Sequence, residues 1–405
     1  MLKKKKVNIT VNPKVLLFAR KTAGFSVEKI VKKLKRVSID VKIIGIWEKK
    51  SSQISLSVLK DIAKHYKRPL TFFFLKIPPN EPIIPTDFRT LPSDKKSLIQ
   101  KINLPPDAMT CLRRARRSQK IAYEISLKLK KKIKKELLQI KLTDDPILLA
   151  KKIREKLALK IEEQSKWKEP NEALKKWIGI IESQGIIVQQ NSIKIREETF
   201  RGFSLTGDSK LLPLIFLSTK DAPNGRIFTL LHEYCHLMLN ESGIIISENS
   251  VVFNQKIKLI ETFCNKFASS LLVPEEILTN HEIVKKTPNN AYSENKLIQL
   301  AKYFAVSKEV IVLRLKKLKK VDQKFYENKK IEWSKQNKKI GQPRKHWDTF
   351  YLNSNGGITT SLVYESYHKN LINFSELLST LNFKSNHFEK VENRLNQRSL
   401  YSNAG

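Results

Sequence analysis

The sequence predicts a mostly helical protein with one α+β domain in the middle of the chain and a separate all-α domain at its amino terminus. Short helical patterns, broken by Gly24 and Ser26, fill the amino-terminal part. Longer helical patterns fill most of the rest. Two short apolar runs, 186–189 and 212–217, have the length of buried strands and lie among helices, which indicates an α+β arrangement.

The length of the chain, 405 residues, leaves room for two or three domains and a sizeable core. A proline-rich stretch at 77–85 has the composition of a stiff, extended connector. We therefore expect an all-α domain at 1–76, a connector and long basic helix at 77–144, an α+β domain at 145–285, a small helical unit at 286–330 and a helical tail at 331–405. The sequence assigns no role to that tail.

Cysteine usage and hydropathy favour a soluble cytoplasmic protein. The three cysteines, Cys111, Cys235 and Cys264, are too few for the disulfide framework of a secreted protein. The basic start of the chain is followed by no apolar stretch of signal length, and no run approaches the roughly 18 apolar residues of a membrane span. We expect no membrane partner.

The charge of the chain is strongly positive, since 77 basic residues outweigh 39 acidic ones to give a formal net charge of +38. A charge of this size attracts polyanions, of which nucleic acid is the obvious one. Most of the excess is lysine, however, in a chain that is also rich in isoleucine and asparagine. The alternative is therefore a composition set by A and T rich codons, with solvated charges and no partner.

The amino-terminal pattern predicts a series of short helices. One begins at Asn12-Pro13 and ends at Gly24, and Ser26 caps a second that runs to Leu34. A third is expected from about Ser38 to Glu48, and a fourth contains residues 61–65. Short helices at this spacing suggest a helix-turn-helix domain.

This region resembles Xre-type helix-turn-helix domains. The resemblance is carried by Ala-Arg-Lys-Thr-Ala-Gly at 19–24, by Trp47-Glu48 and by residues 59–74, and it is poor in between. About three extra residues separate Leu34 from Trp47, and Lys50 and Ile54 stand where glycine and proline are usual. The resemblance implies binding of specific DNA, and the departures leave open a domain kept for packing or homodimer contacts.

Basic side chains near the third helix are the candidate DNA contacts. Lys42 is expected to reach a groove, and six others are expected to contact phosphates: Lys32, Lys33, Lys35, Arg36, Lys49 and Lys50. Farther along, residues 87–92 resemble a segment that follows this kind of domain when it is fused to a peptidase. Residues 109–140 predict one long basic helix, which is either a solvated face or a phosphate-binding rail.

The segment His232-Glu233-Tyr234-Cys235-His236 is an H-E-x-x-H motif inside an apolar helical pattern, for which Asp221 or Asn224 is a candidate cap. One turn of helix brings the two histidines to about 40° apart on one face, so both imidazoles can reach one metal ion. Glu233 lies close enough to act as a general base without being a ligand. The pattern predicts a zinc hydrolase; a pair of satisfied core histidines is the structural alternative.

A catalytic zinc usually takes three protein ligands, and Glu261 is the best candidate for the third. It falls inside the apolar face of a helical pattern over residues 257–271, where an unpaired carboxylate would be costly. A buried salt bridge to a lysine is the alternative explanation. Glu241, Glu248 and Glu275 are weaker ligand candidates, because they lie in expected loops or beside Pro274.

The two motifs together resemble the ImmA/IrrE family of metallo-endopeptidases. The first runs from Arg226 to His236, and the second, Glu-Thr-Phe-Cys-Asn-Lys-Phe-Ala-Ser-Ser-Leu-Leu-Val-Pro, occupies 261–274. The resemblance implies a zincin-like fold, with His232, His236 and Glu261 as zinc (Zn²⁺) ligands and Glu233 as the catalytic base. The resemblance also implies that the helical patterns at 297–320 form a unit beside the active site that helps to receive substrate.

The chain departs from the family where small residues are usual, since Cys235 and Cys264 stand there. Both are expected to be small buried apolar residues; the alternatives are a substitute zinc ligand or a redox trigger. The resemblance implies an endopeptidase that cleaves a helix-turn-helix repressor as its protein partner. A DNA-binding regulator, whose peptidase-like domain is a sensor or oligomerisation module, is the second hypothesis.

Overall fold

The computed structural model describes residues 7–34, 39–79, 106–192, 200–240, 244–246, 255–336 and 346–402. The chain divides into two compact units, and the described part of the first ends at Arg116 while the second begins at Arg117. Each unit has its own buried apolar cluster. In the described segments, no helix combines the length and apolar character needed to cross a bilayer.

The first unit consists of short helices around a small core. In chain order its elements are β1 (Asn8–Val11), α1 (Pro13–Thr22), α2 (Val27–Leu34), α3 (Val41–Trp47), β2 (Ser52–Ser55), α4 (Leu56–Tyr66) and a 3-10 helix (Leu70–Phe74). The strands β1 and β2 form an antiparallel pair that the sequence analysis did not predict. The helix caps explain the boundaries: Asn12 accepts from Lys14 N at 2.9 Å, and Asp40, rather than a residue near Ser38, accepts from Ile43 N at 2.8 Å.

An ion pair fixes α1 to the end of α3. Arg20 Nε lies 2.6 Å from Glu48 Oε1, and its second terminal nitrogen lies 2.7 Å from Glu48 Oε2. Both side chains are largely shielded, with exposures of 12 % and 7 %. Such a bidentate pair sets orientation as well as distance, so it holds the relative position of the two helices.

The long basic helix predicted over 109–140 is shorter in the structure. Helix α5 (Pro106–Lys128) ends where Lys130 adopts a positive φ of 51°. The following residues are extended, and Glu136 N and Ile140 N donate to Gln184 O and Met238 O. Leu137, Leu138 and Ile140 pack on the core of the second unit. The prediction is wrong here because tertiary burial of these apolar residues outweighs local helix propensity; the later lysines therefore form no helical rail.

A four-stranded sheet lies in the second unit. Its strands are β3 (Ile187–Asn191), β4 (Phe200–Leu205), β5 (Leu214–Ser218) and β6 (Ile244–Ile246), in the spatial order β3-β5-β4-β6. The strand β3 runs parallel to β5, whereas β4 is antiparallel to both β5 and β6. Two of these strands lie close to the two apolar runs from which the sequence predicted them.

Helices complete the second unit around the sheet. They are α6 (Pro146–Lys156), α7 (Ile161–Gln164), α8 (Pro170–Ser183), α9 (Pro223–Met238), α10 (Gln255–Leu272), α11 (Glu275–Asn280), α12 (Glu282–Lys286), α13 (Glu294–Tyr303), α14 (Lys308–Lys317), α15 (Gln323–Gln336), α16 (Trp347–Asn355), α17 (Gly357–His368), α18 (Phe374–Leu381) and α19 (Phe388–Ser402). The helices α9 and α10 pack against each other and against α6 and α8. The mostly helical character and the small sheet agree with the predicted composition of elements.

Candidate metal centre

Helix α9 carries the H-E-x-x-H motif at the centre of the second unit. Its cap is Ala222, which makes no side-chain bond, and Pro223 begins the helix, so neither Asp221 nor Asn224 has the predicted capping role. His232 and His236 are 2 % and 3 % exposed, and their Nε2 atoms lie 3.0 Å apart. The helical spacing therefore brings both imidazoles to one point, as the motif predicts.

Glu261 on α10 faces the same point. One carboxylate oxygen, Oε2, lies 3.1 Å from His232 Nε2, and the other, Oε1, lies 3.3 Å from His236 Nε2. The side chain is 27 % exposed, so this corner of the site is open while the histidines are enclosed. Two helices from different parts of the sequence thus bring three donor groups together.

The spacing of these donors fits a zinc ion. Zinc is bound by imidazole nitrogen and carboxylate oxygen at about 2.0–2.2 Å, which in a tetrahedral site places neighbouring donor atoms roughly 3.3 Å apart. The observed separations run from 3.0 to 3.3 Å. Two imidazoles and one carboxylate form a donor set typical of catalytic rather than structural zinc sites.

Asn265, one turn beyond Glu261 on α10, contacts His232 at the ring nitrogen that does not face Glu261. Its Oδ1 lies 2.9 Å from His232 Nδ1. A metal-binding histidine usually donates its second ring N–H to such a partner, which fixes the tautomer and leaves Nε2 free for the metal. Asn265 was not predicted from the sequence, although its position four residues after Glu261 places it on the same helical face.

Burial shifts the protonation equilibria of these groups in the metal-free chain. Burial lowers the pKa of His232, although Glu261 beside it acts in the opposite direction. Burial would raise the pKa of Glu261, but hydrogen bonds and charge from His232 and His236 outweigh burial and hold it well below the usual range. For His236, burial lowers the pKa, but Cys264, Glu261 and Glu233 outweigh burial and raise it well above its usual value. A neutral His232 and an ionised Glu261 are the forms that bind a metal, whereas His236 would release a proton when a metal binds.

Glu233 is fully buried beside the histidines. Among the described residues, neither of its carboxylate oxygens finds a hydrogen bond of ordinary geometry. Burial raises its pKa to about 7, although His236 and the hydroxyl of Ser204 on β4 lower it. A buried carboxylate has acceptor capacity for a polar group that enters the site.

Close packing of β4 on α9 requires Gly202. A Cβ atom at this position would lie 2.7 Å from Phe216 O and 2.7 Å from Cγ2 of Thr229. Thr229 is one helical turn before Glu233, and Ser204 is two residues after Gly202 on the strand. The glycine therefore sets the distance between the strand and the helix that carries the candidate base.

Two buried cysteines lie between the motif helices. Sγ of Cys264 and one ring nitrogen from each of His232 and His236 all lie within 4.8 Å of one another. Cys264 interacts with both Cys235 and His236, and burial raises the pKa of its thiol. The two cysteines are free and buried, as expected of small apolar residues.

Among the described residues, the other candidate ligand, Glu275, does not join this cluster. Glu275 is the first residue of α11, and its Oε2 lies 3.8 Å from a terminal nitrogen of Arg314. Glu241 and Glu248 lie outside the described residues, as do Lys35 and Arg36 and the segment 87–92. The remaining candidate DNA contacts, which belong to the first unit, all have exposed side chains: Lys32, Lys33, Lys42, Lys49 and Lys50.

Comparison with known families agrees with the geometry of the second unit. Residues 181–316 match the Peptidase M78 family model, which is described as the IrrE N-terminal-like domain. The match contains α9, α10 and all four residues of the candidate site. A search of curated proteins found no match. The family supports a peptidase domain of the ImmA/IrrE type in this part of the chain.

Proposed function

We propose that this protein is a zinc-dependent endopeptidase. The observation that carries the proposal is the convergence of His232, His236 and Glu261, with donor atoms 3.0 to 3.3 Å apart, beside the buried carboxylate of Glu233. The Peptidase M78 match over the same segment supports the reaction class.

His232, His236 and Glu261 would hold the metal ion. When bound, zinc supplies a Lewis acid that polarises a substrate carbonyl and lowers the pKa of water. The donor set leaves room for a non-protein ligand, because three protein ligands are the usual number in catalytic zinc sites. The partial exposure of Glu261 marks the side of the site nearest to solvent.

Glu233 would act as the general base. It would take a proton from the attacking water and return that proton to the amine that leaves when the peptide bond breaks. A general base works best when its pKa lies near the working pH, and burial brings the pKa of Glu233 to about 7. Asn265 would keep His232 oriented during this transfer.

Metal content tests the first step of the proposal. We expect about one zinc per chain in protein purified without added metal, and loss of that zinc in His236→Ala and Glu261→Ala. Glu276→Gln is a matched control, because Glu276 is a carboxylate of the same unit with a side chain that is 79 % exposed. A parent protein that binds no zinc even after zinc is added would overturn the proposal.

We propose further that the substrate is a helix-turn-helix repressor, as the resemblance of the two motifs implies. The first unit, with its series of short helices, is then a guide to such a partner or to its DNA site. Mapping of new protein amino termini in cells that express the parent or Glu233→Gln tests this. Cleavage of a helix-turn-helix protein should depend on Glu233; new termini confined to residues 77–92 of this chain would indicate self-cleavage instead.

A DNA-binding regulator is the second candidate function. The observation in its favour is the exposure of Lys32 and Lys33 on α2 and of Lys42 on α3. The Arg20–Glu48 ion pair holds α3 in place against α1. Regulation that survives in cells carrying Glu233→Gln, with zinc still bound, would favour this function over proteolysis. If DNA affinity depends on salt but shows no preference among sequences, the lysines contribute only non-specific electrostatic attraction.

A further inference from the structure

Helix α10 directs a set of three polar side chains toward α9. Glu261, Cys264 and Asn265 are spaced i, i+3 and i+4, and residues with this spacing lie on one side of a helix. Glu261 approaches both Nε2 atoms, and Asn265 accepts from Nδ1 of His232. Cys264 lies between them in the chain and forms a cluster with His232 and His236.

The two histidines differ in their support. His232 has a partner at each ring nitrogen. His236 is 3 % exposed, yet among the described residues its Nδ1 has no hydrogen bond of ordinary geometry. Buried polar atoms of this kind are rare and call for a specific partner. Since a metal-binding histidine almost always donates its second N–H to such a partner, one is expected behind His236.

The group available for this role is Cys264. Its sulfur lies within 4.8 Å of a ring nitrogen of each histidine and is fully buried. A thiol sulfur is a weak hydrogen-bond acceptor, so it is a group of the kind that a ring N–H can donate to. The neighbouring Cys235 projects from α9 itself, in the position directly before His236.

We infer that Cys264 is a positioning residue for His236, its sulfur accepting from Nδ1–H as Asn265 Oδ1 accepts from Nδ1–H of His232. The inference rests on the proposed zinc site and adds to it a residue that differs from the small residue usual in the resembling family. Cys264 then fixes the His236 tautomer with Nε2 directed at the metal. As a direct fourth protein ligand, Cys264 would instead close the site as in structural zinc centres.

Zinc affinity, measured by competition with a chromophoric chelator, tests the inference. We expect Cys264→Ala to bind zinc about 10- to 100-fold more weakly, the usual effect of losing an outer partner of a ligand. Cys264→Ser should restore affinity to within a few fold, because its hydroxyl oxygen also accepts a hydrogen bond. Cys111→Ala is the control, since it removes a buried thiol that belongs to neither motif helix and should leave affinity unchanged.

Two further readouts separate positioning from packing and from direct ligation. In nitrogen-15 NMR spectra of the zinc-loaded parent, His236 should carry its proton on Nδ1. In the cobalt(II)-substituted parent, the intense thiolate-to-cobalt charge-transfer absorption should be absent, and its presence would show that Cys264 is a ligand and overturn the inference. Equal affinities in the parent and Cys264→Ala would also overturn it while the zinc site stands; a parent without zinc would overturn both.

Discussion

The candidate metal centre and the lysine-bearing helices of the first unit place their polar side chains in opposite environments. His232, Glu233 and His236 are at most 3 % exposed, and both histidines have partners on another helix. Lys32 and Lys42 are exposed and require no partner. A buried polar group that lacks a partner costs about 1–3 kcal/mol, whereas a solvated lysine costs nothing. Burial therefore restricts the candidate metal centre to partners that satisfy its polar groups. The exposed lysines are satisfied by water, so their positions do not indicate one particular partner.

The difference predicts that the largest effect will come from the buried base. Glu233→Gln keeps the shape of the side chain but removes its ability to take a proton, so peptide-bond cleavage should fall by about 10²- to 10⁴-fold. Zinc content should stay at the parent level, because Glu233 is not a donor in the proposed site. The cleavage rate is measured on the substrate protein that is identified by mapping new amino termini. Cleavage by Glu233→Gln at the parent rate would show that this buried carboxylate is not the catalytic base, and its burial would then have no more functional meaning than the exposure of the lysines.

A second prediction concerns the shielded ion pair of the first unit. Because the pair is largely buried, we expect the loss of one partner to be costly, as in the metal centre and unlike the exposed lysines. Glu48→Ala leaves Arg20 without its bidentate partner, and the first unit should lose about 3 kcal/mol of unfolding free energy. Glu365→Ala removes a partly exposed partner of Lys131 and should cost less than about 1 kcal/mol. Hydrogen exchange of α1 and α3, compared with that of α17, measures both effects.

A third prediction tests how closely the strand must approach the motif helix. Gly202→Ala introduces a Cβ that would contact backbone and side-chain atoms at 2.7 Å, so we expect a loss of about 1–3 kcal/mol in urea unfolding. Gly179→Ala in α8 is the matched change, because its Cβ would meet nothing within 4 Å. That variant should gain about 0.5–1 kcal/mol, since alanine is the better helix former. Equal stability of the two variants would contradict the packing role of Gly202.

The smallest effect on stability is expected from the exposed lysines. Replacing both Lys32 and Lys42 with alanine should change the unfolding free energy by no more than about 0.5 kcal/mol. If these residues contact DNA phosphates, the slope of log affinity against log salt should fall by about one for each lysine. Titration of a labelled duplex at several salt concentrations measures this slope. An unchanged slope would mean that the exposed lysines of this unit take no part in DNA binding.

The shared face of the two histidines could be predicted because it follows directly from their spacing along a helix. His232 and His236 are four positions apart, which places both on one face wherever the helix lies. Glu261 could be predicted because a carboxylate inside an apolar helical face needs a partner. The roles of Asn265 and Ser204 were not predicted, since each residue acts on a side chain of another element. Such a contact can be recognised only when the packing of the two elements is known.

The errors in predicting elements have a related cause. Helix α5 ends at Lys128 because Leu137, Leu138 and Ile140 gain more by packing on a distant core than the chain gains from further helical turns. The pair of β1 and β2 joins residues that are far apart in the chain, so neither segment has a local signal that identifies its partner. Predictions from periodicity lose accuracy where the partner of a segment is distant.

The sequence by itself determined the helices that carry the two motifs, the face on which His232 and His236 lie and the candidate donors for a metal, because helix geometry is local. Tertiary structure decided which groups stand behind those donors, how β4 approaches Glu233 and where Cys264 lies. These are contacts between elements separated by tens of residues, and their distances follow from packing of the shared core, which no local pattern specifies.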